Sequence, residues 1–79
     1  MKTAEEIRDI VQRVLDQAKH QSHCEVVFDS RDICVIGIYD SVLLGDLQRI
    51  AQETQDPYIL VDQALYSDSN IELLINKRN

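Results

Sequence analysis

Aromatic side chains and glycine are scarce in this 79-residue chain. Tryptophan is absent, phenylalanine occurs once and glycine occurs twice. Aliphatic residues must therefore fill the core, and a small aliphatic core leaves no room for a large cavity, so we expect no buried cofactor. Two glycines, Gly37 and Gly45, are also too few for a glycine-rich loop that holds phosphate groups.

Basic residues are few. The chain has 8 Lys and Arg against 14 Asp and Glu, a net charge of −6. Residues 1–40 and residues 41–79 carry equal shares of this excess, so neither part is basic. Nucleic acids and anionic membranes are bound through several Lys or Arg aimed at phosphate groups. We therefore expect no direct nucleic-acid partner and no membrane partner. Since the chain carries no recognisable catalytic motif, we expect no small-molecule substrate either.

Long hydrophobic runs are absent. No run approaches the roughly 18 apolar residues of a membrane span, and residues 1–6 lack the apolar core of a signal peptide. These features predict a cytoplasmic protein. Two cysteines fit a reducing compartment as well as any other.

What is present is the balance of one small globular domain, residues 1–79, with 44% apolar and 28% charged residues. Thr3 and Glu6 form a capping-box pattern, and apolar residues follow at helical spacing up to Ala18. Asp40 or Ser41 is placed to cap a second helix, which Pro57 ends. Gly45 inside that helix predicts a close approach to the sheet.

Four segments have the composition and period of strands: residues 24–29, 33–39, 58–65 and 71–75. Polar, turn-prone residues join the first strand to the second, and the third to the fourth. The densest apolar run is residues 33–39. The order is therefore helix–strand–strand, repeated twice.

This repeated order predicts an internal duplication with halves 3–39 and 41–76. Its residue match is weak: residues 11–14, Val-Gln-Arg-Val, precede the similar residues 47–50, Leu-Gln-Arg-Ile, by 36 positions. A pseudo-twofold axis would place the second strand of each half in the centre. The predicted fold is a two-layer α+β domain, αββαββ, with a four-stranded antiparallel sheet of order 1-2-4-3 and both helices on one face.

The two faces of this sheet follow from the alternation of side chains. The face under the helices should hold Cys24, Val26, Phe28, Cys34, Ile36, Ile38, Ile59, Val61, Leu65, Ile71, Leu73 and Ile75. The second face, here called the open face, should be polar in a solvated antiparallel sheet. Instead it is assigned an excess of apolar residues: Val27, Ile33, Val35, Tyr39, Leu60, Tyr66 and Leu74.

These seven residues are the predicted partner surface, because an apolar face of this kind is normally covered by another chain. A strand register wrong by one residue would exchange the two faces and remove the prediction.

Four side chains are potential metal ligands: His20, His23, Cys24 and Cys34. A hairpin turning at residues 30–31 sets Cys34 opposite Val27 or Phe28, so the two sulfurs lie roughly 10–13 Å apart along the strand. That distance excludes a disulfide and one shared tetrahedral zinc. A Cys–His nucleophile pair has no evident orienting acid or oxyanion hole. We expect no metal and no catalytic residue.

Five carboxylates fall in predicted loops: Asp29, Asp32, Asp40, Asp56 and Asp68. Turn and cap roles account for them. Residues 67–70, Ser-Asp-Ser-Asn, lack the spaced acids and terminal Glu of a calcium loop. A helix starting near Ser41 could hold an anion, although Asp40 and Asp46 beside it disfavour this.

Composition and pattern together predict a small acidic, non-enzymatic interaction module, either a homodimer or higher oligomer or bound to another protein, that uses the open face or an edge strand. The alternative is an acidic inhibitor that occupies the basic, nucleic-acid-binding groove of a target, with Asp29 and Asp32 in contact. A directly RNA-binding module has only Tyr39 and Tyr66 in its favour.

Overall fold

A computed structural model describes residues 1–18 and 21–78. Its elements, in chain order, are α1 (Ala4–Gln17), β1 (His23–Asp29), β2 (Ile33–Tyr39), α2 (Leu44–Thr54), β3 (Leu60–Asp62) and β4 (Ile71–Asn76). The predicted α+β class and the repeated helix–strand–strand order are confirmed.

Helix α1 begins at the predicted capping box. The Glu6 N–H donates to the Thr3 hydroxyl at 3.1 Å, and the Thr3 N–H donates to the Glu6 carboxylate at 3.0 Å. These two bonds satisfy N–H groups that have no partner inside the helix. The bond from the Thr3 N–H is the main reason that the pKa of Glu6 lies below its ordinary value.

The sheet has the predicted antiparallel order β1-β2-β4-β3. β2 and β4 lie in the centre, as expected for the strands with the densest apolar runs. Both helices pack on one face of the sheet, where Ile7 and Val11 of α1 and Ile50 of α2 join Ile36 and Leu73 in the core. No helix within residues 1–18 and 21–78 is long and apolar enough to cross a lipid bilayer.

A β-bulge in β1 changes the predicted register. Val26 lies opposite Ile36, but Phe28 lies opposite Val35, so the residue between them is extra. One extra residue reverses the alternation of side chains between the two faces of the sheet. Phe28 therefore lies on the open face. The prediction that it lies on the face under the helices, here called the helix face, is wrong. For the same reason Cys34 lies opposite Asp29, and not opposite Val27 or Phe28.

Helix α2 begins later than the caps predicted at Asp40 or Ser41. Its N-cap is Leu43, whose N–H donates to the carboxylate of Asp46 at 2.9 Å. The helix start is therefore satisfied by an acid within the helix. Gly45 is exposed, and a Cβ added there would meet no atom within 4 Å. The prediction of a close helix–sheet approach at Gly45 is wrong.

The third strand is much shorter than predicted. Only Leu60–Asp62 pairs with β4, whereas the sequence predicted a strand over residues 58–65. Asp56 limits its start, because the Asp56 carboxylate accepts from the N–H groups of Tyr58 and Asn76, each at 2.9 Å. Leu65 thus lies outside the strand. The two halves have hairpins with strands of unequal length. The internal duplication stays a prediction.

Candidate functional site

The loop of residues 63–70 folds back over the open face of the sheet. The carboxylate of Glu72, a β4 residue on this face, accepts hydrogen bonds from the Leu65 N–H at 2.8 Å, the Tyr66 N–H at 2.9 Å and the Ser67 hydroxyl at 2.8 Å. Glu72 is only 4% exposed. One buried carboxylate therefore holds the loop to the sheet.

The protonation state of Glu72 matters to this arrangement. Burial raises the pKa of the carboxyl, but the bonds from the Leu65 N–H, the Ser67 hydroxyl and the Tyr66 N–H outweigh it, so the net pKa lies below the ordinary value. The ionised form therefore holds the loop at neutral pH.

Tyr66 extends across the sheet from this loop. Its ring stacks on Phe28 of β1, with ring centroids 5.1 Å apart. Ser69 packs over β2 at Gly37, where an added Cβ would lie 2.9 Å from the Ser69 Oγ. The loop thus covers part of the open face, which the sequence predicted to be uncovered within the chain.

The seven residues of the predicted partner surface differ in how exposed they are. Val35 is 3% exposed and offers almost no surface. Four are half-buried: Val27, Ile33, Tyr39 and Leu74. Two remain well exposed, Leu60 and Tyr66. Whether any of them contacts a partner stays a prediction.

Exposed apolar side chains concentrate instead around β3. Nine large hydrophobic side chains are exposed in the described part of the chain, and five of them fall within residues 58–66. Their exposed fractions run from 47% for Val61 to 84% for Tyr58. We call these five residues the β3 surface: Tyr58, Leu60, Val61, Leu65 and Tyr66.

Depressions flank β3 on both faces of the sheet. On the open face, one of about 410 Å³ lies between Tyr58 and Leu60, and one of about 140 Å³ lies where Leu65 and Tyr66 overhang Val35. On the helix face, one of about 220 Å³ lies between Val61 and α2. Apolar side chains of a partner would find room on either side of the strand.

Sequence reasoning missed three members of the β3 surface: Tyr58, Val61 and Leu65. It assigned Val61 and Leu65 to a long strand with a buried face. A charge pattern was available as a signal, since residues 50–76 contain five acidic residues and no Lys, Arg or His. Because residues 1–40 and residues 41–79 each carry a net charge of −3, the charge of the two halves does not reveal this stretch.

The candidate metal and nucleophile groups do not form a site in the described residues. No three His, Cys, Asp or Glu side chains there could hold a metal ion; His20 lies outside the described residues. The ring of His23 stacks on Tyr39, with centroids 4.7 Å apart. Burial raises the pKa of the Cys24 thiol to about 12 and that of Cys34 to about 11. Both thiols stay protonated, and hence weakly nucleophilic, at neutral pH.

The loop carboxylates serve turns and ion pairs. Asp29 accepts from the Lys77 ammonium at 2.6 Å, and Asp32 lies 3.9 Å from the Arg78 guanidinium. Asp40 takes the left-handed backbone conformation, with φ at 71°. The anion site suggested near Ser41 fails, since α2 starts three residues later and its first turn holds Asp46.

No protein-family model matches this chain, and no curated protein or solved structure matches it either.

Proposed function

We propose that this chain is a small, non-enzymatic protein–protein interaction module that contacts its partner through the β3 surface. The observation that carries the proposal is the concentration of exposed apolar side chains in residues 58–66. The partner is another protein or a second copy of the chain. A large exposed apolar patch on a soluble domain commonly marks an interaction site.

Burial of this surface would contribute favourably to binding. Burying a large apolar side chain completely stabilises by about 1.5–3 kcal/mol. The five side chains are roughly half to four-fifths exposed, so each would contribute about 1–2 kcal/mol on leaving water. The sum is comparable with the free-energy cost of association, so a stable complex also needs contacts beyond these five side chains.

The alternative, an acidic inhibitor that mimics nucleic acid, is less well supported. It relies on Asp29 and Asp32, and each of these carboxylates faces a basic side chain of the same chain. Their charge is thus partly matched before any partner arrives. We propose the cytoplasm as the location, and the unpaired thiols of Cys24 and Cys34 are compatible with it.

Site-specific photocrosslinking tests the proposal. A photoreactive phenylalanine analogue replaces Tyr58 in one variant and Arg13, exposed on α1, in the control. Both variants are irradiated in the cells that naturally make the protein. We expect a discrete protein adduct from position 58 and none from position 13.

The mass of the adduct tells a second copy of the chain from a different protein, and light scattering on the purified chain gives its oligomeric state. If position 58 gives no adduct, or if positions 58 and 13 give the same adducts, the β3 surface is not an interaction site.

A further inference from the structure

The two edges of the sheet differ in how their backbone groups are satisfied. At the β1 edge, the Cys24 N–H donates to the side-chain oxygen of Gln12 at 2.9 Å, and the Cys24 carbonyl accepts from Nε of Arg8 at 3.2 Å. The bulge between Val26 and Phe28 distorts the rest of this edge. Side chains from α1 and a bulge are two devices that prevent a further strand from pairing.

The β3 edge has neither device. β3 pairs only with β4, and its three residues are all exposed. Within residues 1–18 and 21–78, no side chain hydrogen-bonds to the backbone of Leu60 or Val61. The outward-facing backbone groups of this strand are therefore available to a partner strand.

The depressions beside β3 suit the side chains of an added strand. Side chains of an extended peptide alternate between the two faces of a sheet. Here Leu60 borders depressions on the open face, and Val61 borders the one against α2. In strand addition, main-chain hydrogen bonds supply affinity and pockets for alternate side chains supply specificity.

The charge of the stretch that contains β3 indicates the chemistry of the partner. Residues 50–76 hold five acidic residues and no basic residue, while the rest of the chain holds nine acidic and eight basic residues. Nearly all the net charge thus resides in this stretch. Glu53, Asp62 and Asp68 are exposed within it. The nearest basic residue before it, Arg49, is directed to α1, where it donates to Gln17.

We infer that the outer edge of β3 accepts an extended, basic segment of another protein as a fifth strand, with Lys or Arg on the open face beside Asp62 and apolar residues in the depression between Val61 and α2. A second copy of this chain fits less well. Pairing β3 with its own copy would bring the two acidic stretches together, and like charges at an interface oppose association. The inference rests on the proposed function and names the occupant of the same surface.

Titration of the isotope-labelled chain with synthetic peptides, followed by NMR, tests the inference. The probe is a short peptide in which lysine alternates with valine. Its first control replaces lysine with glutamate. Its second control keeps the lysines but methylates alternate backbone nitrogens, which removes hydrogen-bond donors. We expect the lysine peptide alone to shift the amide signals of residues 60–62 and to slow their hydrogen exchange.

A matched pair of variants tests the charge contribution. Asp62→Lys should weaken binding of the lysine peptide about fivefold, because exposed charge pairs contribute up to about 1 kcal/mol each. Asp16→Lys makes the same charge change on α1, away from β3, and should leave binding unchanged.

Four outcomes overturn the inference: no binding of the lysine peptide, equal binding of the glutamate peptide, equal binding of the methylated peptide, or a dimer in which β3 pairs with its copy. Each of these is compatible with a crosslinked partner at position 58. Conversely, absence of that crosslink overturns the proposed function itself. The two failures are thus distinguishable.

Discussion

The ring of Tyr66 stacks on the ring of Phe28 at a centroid distance of 5.1 Å, although Tyr66 follows one edge strand and Phe28 belongs to the other. The contact spans the open face of the sheet. It exists because the bulge in β1 turns Phe28 onto that face and because Glu72 draws the loop of residues 63–70 across it.

Tyr66→Ala should loosen the packing of the loop against the sheet. Aromatic pairs contribute about 0.5–1.5 kcal/mol beyond the area they bury, so we expect the free energy of unfolding to fall by about 1–2 kcal/mol. Amide hydrogen exchange in residues 63–70 should become faster. Tyr58→Ala removes an equal side chain that is 84% exposed and should leave both measurements unchanged. Equal effects of the two variants would contradict the stacking role.

Glu72→Gln should lower the free energy of unfolding and make it less dependent on pH under acidic conditions. Hydrogen bonds to a charged group contribute about 1.5–3 kcal/mol, and the amide retains only part of this. The folded pKa of Glu72 lies below its ordinary value. Its contribution is therefore complete above the unfolded pKa of about 4.3, and is lost as the pH falls through the folded pKa.

Urea unfolding at a series of pH values below about pH 5 measures this contribution. The natural chain should lose more stability over that range than Glu72→Gln does. Glu53→Gln, at an exposed position on α2, provides the control and should keep the natural slope. A Glu72→Gln chain with the natural slope would show that Glu72 does not control the acid response.

Gly37→Ala and Gly45→Ala should change stability in opposite directions. At position 37 the new Cβ would lie 2.9 Å from the Ser69 Oγ and 3.1 Å from the Val27 Cγ1, and overpacking of this kind costs about 1–3 kcal/mol. At position 45 it would meet nothing within 4 Å, so alanine should stabilise α2 by up to about 1 kcal/mol. Thermal unfolding of both variants measures the signs, and a stable Gly37→Ala chain would show that Ser69 packs elsewhere.

Cys24 and Cys34 should resist thiol reagents in the folded chain. Both thiols are buried, and burial raises their pKa values to about 12 and about 11. Cys24 lies opposite Ile38 and Cys34 lies opposite Asp29, so the two are several rungs apart and cannot join in a disulfide. Labelling with iodoacetamide followed by mass spectrometry should give no adduct until denaturant is added. A variant with an exposed thiol, Gln52→Cys, should label at once under the same conditions.

Local patterns predicted the parts of the fold that depend on neighbouring residues. The capping box at Thr3 and the periodic apolar residues after it placed α1 correctly. The dense run of residues 33–39 gave both the bounds of β2 and its central position. Each of these features is decided within a few residues along the chain, by backbone hydrogen bonding and by which side chains share one face.

The candidate site was predicted only in part, because it depends on contacts between distant residues. Leu60 and Tyr66 were correctly expected to be exposed, whereas Val35 lies under the loop. No feature of residues 26–28, Val-Val-Phe, marks one of them as the extra residue of a bulge. Nor does the pattern around Glu72 reveal that its carboxylate will bind N–H groups six and seven positions earlier.

The sequence by itself determined the fold class, the strand order and the acidic stretch of residues 50–76, because periodicity, caps and charge are properties of the chain alone. Only the tertiary structure decided which apolar residues remain exposed. The bulge reversed a face of β1, and the buried carboxylate of Glu72 drew a loop over the open face. Both features depend on hydrogen bonds and packing between residues that are distant in the sequence, in β1, β2, β4 and the loop. Neither of them covers β3, whose three residues remain exposed.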